Sequence, residues 1–220
     1  MKFIIAISLF LISFQGITQD FSEDVFLDSL NNELSNDNLS DSTRINLLSI
    51  LGENIPILTI NYWDSISIIT NKAISNYEPN EAPKVYYIYL ANTLNNLGYI
   101  YDDDGDSPKA LNYYLRSLKL RKEIGNQEGI AESLNNIGFL YGQQGDAVNA
   151  LEYFHNSLKI REKLGDKSGV AENLNNIGSI YHSQGDIHNA LNYYQQSLEI
   201  KEGVGDKNGI SNSLTNIGLI

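Results

Sequence analysis

The sequence predicts an all-α chain of tandem helix–turn–helix repeats that stack on one another as a solenoid. Three observations predict it. Asn-Asn-Leu-Gly at 95–98 returns as Asn-Asn-Ile-Gly at 135–138 and 175–178 and as Thr-Asn-Ile-Gly at 215–218, a period of 40 residues. Within each period the apolar residues keep the spacing of one helical face, as in Leu134, Ile137, Gly138 and Tyr141. Gly105-Asp106, Gly145-Asp146 and Gly185-Asp186 punctuate the periods in one register, followed at fixed distance by Ala110-Leu111, Ala150-Leu151 and Ala190-Leu191.

The first residues read as an address rather than as fold. Lys2 is a short positive region, the run from Phe3 to Phe14 is broken only by Ser8 and Ser13, and polar residues begin at Gln15. This is the pattern of a secretory signal peptide over residues 1–19, cut before Gln19 or before Asp20. The apolar run is shorter than the roughly 20 residues a spanning helix needs, so an uncleaved anchor is the weaker reading. Residues 20–41 are rich in Asn, Asp and Ser and are expected to be irregular. Residues 42–90 are expected to form a degenerate helical repeat that caps the array, with Trp63 to Ile74 as its second helix and Tyr77-Glu78-Pro79-Asn80 and Pro83 as the following turn.

Regular repeats then cover 91–130, 131–170 and 171–210, and 211–220 holds the start of a fourth. In each, helix A carries the Asn-Asn pair and ends before the Gly-Asp turn. Asp146 sits where a carboxylate accepts the orphan N–H groups of helix B. Gly138 costs about 1 kcal/mol in a helix interior, so its return at 98, 178 and 218 predicts a crossing too close for a side chain. Ala110, Ala150 and Ala190 are expected to face it. Lys159, Arg161 and Lys163 complement the negative end of helix B, and Gly165-Asp166 stops it. Tyr113-Tyr114, Tyr153-Phe154 and Tyr193-Tyr194 fall at core spacing and predict packing between repeats rather than a platform for bases.

The order Leu134, Ile137-Gly138, Tyr141, Gly145-Asp146, Ala150, Phe154, Ser157 resembles the tetratricopeptide repeat (TPR) family. Two departures are the 40-residue unit, where the family has 34 residues, and Glu162 where the family ends helix B with proline. The resemblance implies a right-handed α-solenoid, no enzymatic activity and no cofactor, and a ligand-binding groove lined by helix A. Its candidate residues here are Asn95, Asn96, Tyr99, Asn135, Asn136, Phe139, Asn175, Asn176, Ser179 and His182, with Asn92, Glu132, Glu172, Asp102, Asp103 and Gln143 beside them. A ladder of amides can pair with the backbone of an extended peptide without reading its side chains. The alternative is that the amides cap or bridge neighbouring helices, since buried polar groups usually have structural partners. Both hold if one amide of each pair serves each role.

Composition narrows the partner. The chain has 27 Asp and Glu against 15 Lys and Arg, a net charge of -12, which becomes -13 once Lys2 is removed. Nucleic acid and anionic lipid are repelled at long range. A neutral or basic protein or extended peptide is favoured over an acidic one, and no membrane insertion is expected after signal cleavage. With no cysteine, thiolate metal sites and disulfides are excluded, and Asp102-Asp103-Asp104-Gly105-Asp106 lacks the order of a calcium loop. His155, His182 and His188 lack the spacing of a metal or catalytic motif. Two roles fit: a protein- or peptide-binding scaffold acting outside the cytoplasm, or the sensory segment of a longer signalling protein. In the second case a histidine kinase, cyclase or transcriptional-regulator output would lie beyond residue 220. The register stops inside helix A of the fourth repeat, which is the basis for expecting the natural gene to continue past Ile220.

The export reading is checked by N-terminal sequencing of secreted material. A mature end near Gln19 or Asp20 is expected, and intact Met1 in the cytoplasm would refute it.

Overall fold

The computed structural model describes residues 60–78 and 82–220, which fall in a single compact unit, Ile57–Ile220. The expected signal peptide, the polar segment 20–41 and the first part of the degenerate repeat lie outside the described residues. Among the described residues the regular structure is entirely helical: α1 Ile60–Ser75, α2 Lys84–Asp103, α3 Ser107–Ile124, α4 Gln127–Gln143, α5 Ala147–Leu164, α6 Lys167–Ser183, α7 Ile187–Val204 and α8 Lys207–Gly218. Helices α2, α4, α6 and α8 are the A helices, and α3, α5 and α7 are the B helices. Each packs chiefly on its neighbours in the chain, and α4 also touches α6. This is the right-handed α-solenoid expected, in which no helix pair buries its apolar stripe alone. None of the described helices is long and apolar enough to cross a membrane.

The Trp63–Ile74 helix is present as α1, and it packs on α2 as a B helix packs on the next A helix. The regular A helices begin at Gln127, Lys167 and Lys207, four residues before the Ala131, Ala171 and Ser211 register points.

One local device closes both ends of every helix pair. Gly105, Gly145 and Gly185 after the A helices, and Gly125, Gly165 and Gly205 after the B helices, take φ between 71 and 79°, the left-handed region. The next residue then donates its N–H back five positions, as Asp146 to the Tyr141 carbonyl at 2.9 Å and Asp166 to the Arg161 carbonyl at 3.0 Å. That same residue caps the following helix. Asp146 Oδ1 accepts from the Asn149 N–H at 3.1 Å, and Asp166 Oδ1 from the Gly169 N–H at 2.9 Å. The hydrogen bonds from the Asn149 side chain and N–H hold the Asp146 carboxyl below the usual range. A Gly-Asp or Gly-Asn pair every 20 residues therefore spells the whole helix–turn alternation.

Glycine also sets the crossing of A on B. A Cβ placed on Gly98 would lie 2.6 Å from the Tyr114 ring, and one on Gly138 would lie 2.9 Å from the Phe154 ring and 3.2 Å from the Ala150 carbonyl oxygen. Gly178 meets Tyr194 and Ala190 in the same way. Ala110, Ala150 and Ala190 are fully buried at the same crossing. Below it, the Ser117, Ser157 and Ser197 hydroxyls donate to the Ala91, Ala131 and Ala171 carbonyls at 2.7, 2.7 and 2.6 Å.

The paired rings divide their work. Tyr114 and Phe154 cover the glycine of their own pair and also join the buried cluster with the next A helix, Tyr114 against Ile130, Leu134 and Ile137 and Phe154 against Ile177 and Ile180. Their neighbours pack within one repeat, not only between repeats as the sequence suggested. Tyr113 stacks on Tyr101, Tyr153 on Tyr141 and Tyr193 on Tyr181, with ring centres 5.3–5.5 Å apart.

Gly98→Ala and Gly138→Ala are expected to lower the melting temperature. Forcing a buried ring aside costs about 1–3 kcal/mol, more than the ~1 kcal/mol gained in helix propensity. Gly218→Ala, whose Cβ would meet nothing within 4 Å, should leave stability unchanged or slightly raised. Thermal unfolding of the three variants checks the contrast.

Candidate functional site

The amide pairs of helix A do not share one role. The first Asn of each pair turns toward the neighbouring A helix, and Asn95 and Asn135 are only 6% and 5% exposed. Asn95 Nδ2 donates to Glu132 Oε1 at 2.9 Å, and Asn135 Nδ2 donates to Glu172 Oε1 at 3.1 Å. Their Oδ1 atoms accept from the second Asn of the next repeat, Asn136 to Asn95 and Asn176 to Asn135, each at 3.0 Å. Asn216 to Asn175 continues the series at 2.9 Å. The amides thus form a rung between successive A helices, the bridging role weighed above. Asn96, Asn136 and Asn176 are half-buried. For Asn136 and Asn176, one N–H is committed to the rung, and the other N–H and Oδ1 have no partner among the described residues.

Beside those second amides lie the exposed positions of the A helices. Tyr99 is 65% and Phe139 49% exposed, one period apart, and Ser179 is exposed at the equivalent place. Asn92, Glu132 and Glu172 are exposed one turn before the amides, and Gln143 one turn after Phe139. His182 and Asp102 are half-buried at the edge of this face. Burial, and then the charge of Asp103, raise the Asp102 carboxyl. The structure therefore brings Asn96, Tyr99, Asn136, Phe139, Asn176 and Ser179 onto one accessible face. It withdraws Asn95 and Asn135 into the seam behind that face.

Residues that sequence reasoning underrated sit in the same seam. Arg161, expected to complement the negative end of a B helix, is buried, as is Arg121, which is 1% exposed. Arg121 Nη1 donates to the Gly129 carbonyl at 2.8 Å and to Ser133 Oγ at 2.9 Å, and Nη2 to Asn92 Oδ1 at 2.9 Å. Nη2 also pairs with Glu132 Oε2 at 3.1 Å. Arg161 repeats the pattern: Nη1 donates to the Gly169 carbonyl at 2.7 Å, to Asn173 Oδ1 at 2.8 Å and to Glu172 Oε2 at 2.8 Å. Asn173, fully buried, donates in turn to Asn135 Oδ1 at 3.3 Å and to the Phe154 carbonyl at 3.2 Å. A Cβ on Gly129 or Gly169 would lie within 2.8 Å of the arginine stem, so glycine lets each guanidinium pass over the start of the A helix. Burial lowers the Arg121 affinity for its proton, and Glu132 opposes that shift. The signal was legible in the sequence: Arg121, Arg161 and Lys201, and Gly129, Gly169 and Gly209, recur at 40 residues.

Glu132 and Glu172 therefore offer the accessible face carboxylates whose charge is already met from behind by arginine. Each links two repeats through an amide on one side and a guanidinium on the other. Arg121→Met should destabilise the array by about 3 kcal/mol, because the buried Gly129 carbonyl and Ser133 hydroxyl lose their donor together with the Glu132 carboxylate. Denaturant unfolding checks it, and a change under about 0.5 kcal/mol would show the network to be surface decoration.

Comparison with known proteins agrees with this architecture. Two family models, each for the tetratricopeptide repeat, match residues 129–203 and residues 90–124, together half of the chain. No curated protein matches the sequence significantly. Among solved structures, BtubC (BKLC) from P. vanneervenii superposes with a TM-score of 0.69 at 20% identity, covering 91% of this chain and 83% of its own. Aspartyl phosphate phosphatase F from Bacillus subtilis reaches 0.62 at 17% identity, over 71% of this chain and 38% of its own. A signal transduction ATPase with a tetratricopeptide repeat sensor, from Pyrococcus horikoshii, reaches 0.56 at 14% identity, over 80% of this chain and 29% of its own. At these identities the likeness is one of fold. With the 40-residue helix pairs, the glycine crossings and the two matching repeat models in hand, the chain belongs to the tetratricopeptide repeat family.

Proposed function

We propose that the chain is a protein-interaction scaffold that binds an extended segment of a partner along the accessible face of its A helices, outside the cytoplasm. One observation carries the proposal: Tyr99 and Phe139 stand exposed one period apart on the face that also presents the uncommitted amide groups of Asn136 and Asn176. Exposed aromatics at regular spacing offer contact area at small entropic cost, and amides beside them can meet a peptide backbone. The charge of the chain favours a neutral or basic ligand over an acidic one. Because arginine neutralises Glu132 and Glu172 from behind, attraction for basic side chains is moderate and neutral donors are served as well. The setting outside the cytoplasm rests on Lys2 and the Phe3–Phe14 run.

The test uses peptides selected against the chain from a random library. Tyr99→Ala with Phe139→Ala should weaken their binding about tenfold or more while moving stability by less than about 0.5 kcal/mol. Binding equal to that of the unaltered chain would overturn the proposal. Replacing Asn96, Asn136 and Asn176 by Ala should also weaken binding, but with a loss of stability, since Asn136 and Asn176 hold the rungs between A helices.

A further inference from the structure

The B helices agree on their inner side and differ on the outer. Ala110, Ser117 and Arg121 of α3 are buried at the positions where α5 buries Ala150, Ser157 and Arg161 and α7 buries Ala190, Ser197 and Lys201. On its outer side α3 exposes Lys109, Arg116, Lys119 and Lys122 against the single carboxylate of Glu123. α5 exposes Lys159 and Lys163 against Glu152 and Glu162, and α7 exposes Glu199 and Glu202 with no Lys or Arg. At 100° per residue the α3 cations fall within one arc of about 140° opposite the buried side, and at 1.5 Å per residue they run about 20 Å along the helix. Leu115, 43% exposed, lies in that arc between Lys119 and Lys122. The fold does not require this stripe. Arg116, Lys119 and Lys122 follow one another at i, i+3, where like charges repel, and Lys109 sits in the first turn, at the positive end of the dipole; Lys122 alone suits its helix end. Asp106 Oδ2 pairs with Lys109 at 2.7 Å and Glu123 with Lys119 only at 3.9 Å. Arg116 and Lys122 hold no ion pair among the described residues. Two of the cations stand over rings, Lys109 Nζ at 4.9 Å from the Tyr101 centre and the Arg116 guanidinium carbon at 5.3 Å from the Tyr113 centre.

We propose that the outer face of α3 is a second interaction surface, which docks a short acidic segment of a protein partner, with carboxylates on Arg116, Lys119 and Lys122 and an apolar side chain on Leu115. It belongs to the B helices and does not depend on the reading of the A-helix face. The charge of the whole chain, -12, selects the kind of acidic partner. A long polyanion such as nucleic acid, or an anionic bilayer, meets the field of the whole molecule and is repelled. A short segment seated on α3 lies within a Debye length of the stripe, about 8 Å at physiological ionic strength, and is screened from more distant carboxylates. A second copy of the chain fits less well. The outer face of α7 offers it only Glu199 and Glu202, and two exposed ion pairs do not offset the freedom lost on association. The ring contacts and the Asp106 pair already restrict Lys109 and Arg116, so part of the side-chain ordering that docking requires is complete beforehand. A partner that also engages the A helices is then held at two places, and modest affinities multiply.

The experiment titrates the full chain, followed by backbone amide NMR, with acetyl-Glu-Leu-Glu-Glu-Asp-Glu-amide and with its uncharged analogue acetyl-Gln-Leu-Gln-Gln-Asn-Gln-amide. The acidic peptide should bind saturably, shift the amides of α3, and bind about tenfold or more tighter than the analogue at physiological ionic strength, with the difference growing at low salt. Replacing Arg116, Lys119 and Lys122 together by Gln should remove that preference while leaving the melting temperature unchanged or slightly raised, because their mutual repulsion is relieved. Lys119→Arg with Lys122→Arg should keep the binding, and so should Lys159→Gln with Lys163→Gln in α5. Equal binding of the two peptides, undiminished binding by the triple Gln variant, or an equal loss in the α5 variant would overturn the surface. Tighter binding of duplex DNA or phosphatidylserine vesicles through α3 would overturn it too, as would a dimer in sedimentation that the triple variant dissociates, since each assigns the stripe to another occupant. The Tyr99 and Phe139 variants should bind the acidic peptide as the unaltered chain does, so failure of the A-helix face and failure of this one are separable results.

Discussion

Two helices can approach to the point where backbone meets ring only if one of them gives up its side chain, and everything else in the array follows from that approach. At Gly98, Gly138 and Gly178 the A helix presents bare backbone to Tyr114, Phe154 and Tyr194 of its B helix. The ring closes on the glycine and the buried alanine of helix B sits beside it. The pair is thereby locked into one crossing, and the ring's far side is left apolar. That far side is what the next A helix covers, as Ile130, Leu134 and Ile137 cover Tyr114. A repeat is thus incomplete by construction, and stacking is the only way it buries the surface its own crossing exposes.

Polar groups hold the stack in register where apolar packing alone would let neighbouring helices slide. A guanidinium from each of α3 and α5 reaches over a glycine of the next A helix and finds a carbonyl, a neighbouring polar side chain and a carboxylate. Burying such a charge is unfavourable unless nearly every donor is met. Because the partners come from more than one helix, the guanidinium reaches them together only at the native offset. The amide rungs between A helices add a second constraint of the same kind. The combination explains why Asn, a poor helix former, recurs in the middle of every A helix.

This division has a functional consequence. The seam consumes Asn95, Asn135, Glu132 and Glu172 as structural partners, yet leaves Tyr99, Phe139 and part of Asn136 and Asn176 accessible. The accessible face is therefore backed by a hydrogen-bonded network, which in the binding proposed above limits the freedom its residues lose on meeting a ligand. Where the sequence departs from its own period, at Asn212, the seam lacks the carboxylate that Glu132 and Glu172 supply in the two preceding junctions, while Lys201 still donates to Ser213 and Asn175 still accepts from Asn216.

The sequence by itself determined the period, the helix pairs, the turns and the glycine crossings. Each of these is local or recurs at a fixed spacing, and Gly-Asp pairs carry their meaning within a few residues through φ and a capping carboxylate. Of the helix-A residues the sequence singled out, Tyr99, Phe139 and Ser179 are exposed, whereas Asn95 and Asn135 are buried. It did not separate the two amides of a pair, because Asn95 and Asn96 are identical in type and differ only in which neighbour they meet, 37 to 41 residues away. The dipole argument did not distinguish Arg161 from the surface cations Lys159 and Lys163, since a positive charge near a helix end fits the dipole wherever it points; only the recurrence of a basic residue at 121, 161 and 201 marks it in the sequence. Only the tertiary structure decided that this guanidinium turns inward: the next A helix brings a glycine, a carbonyl, an amide and a carboxylate to one place, and no element of the chain carries that combination alone.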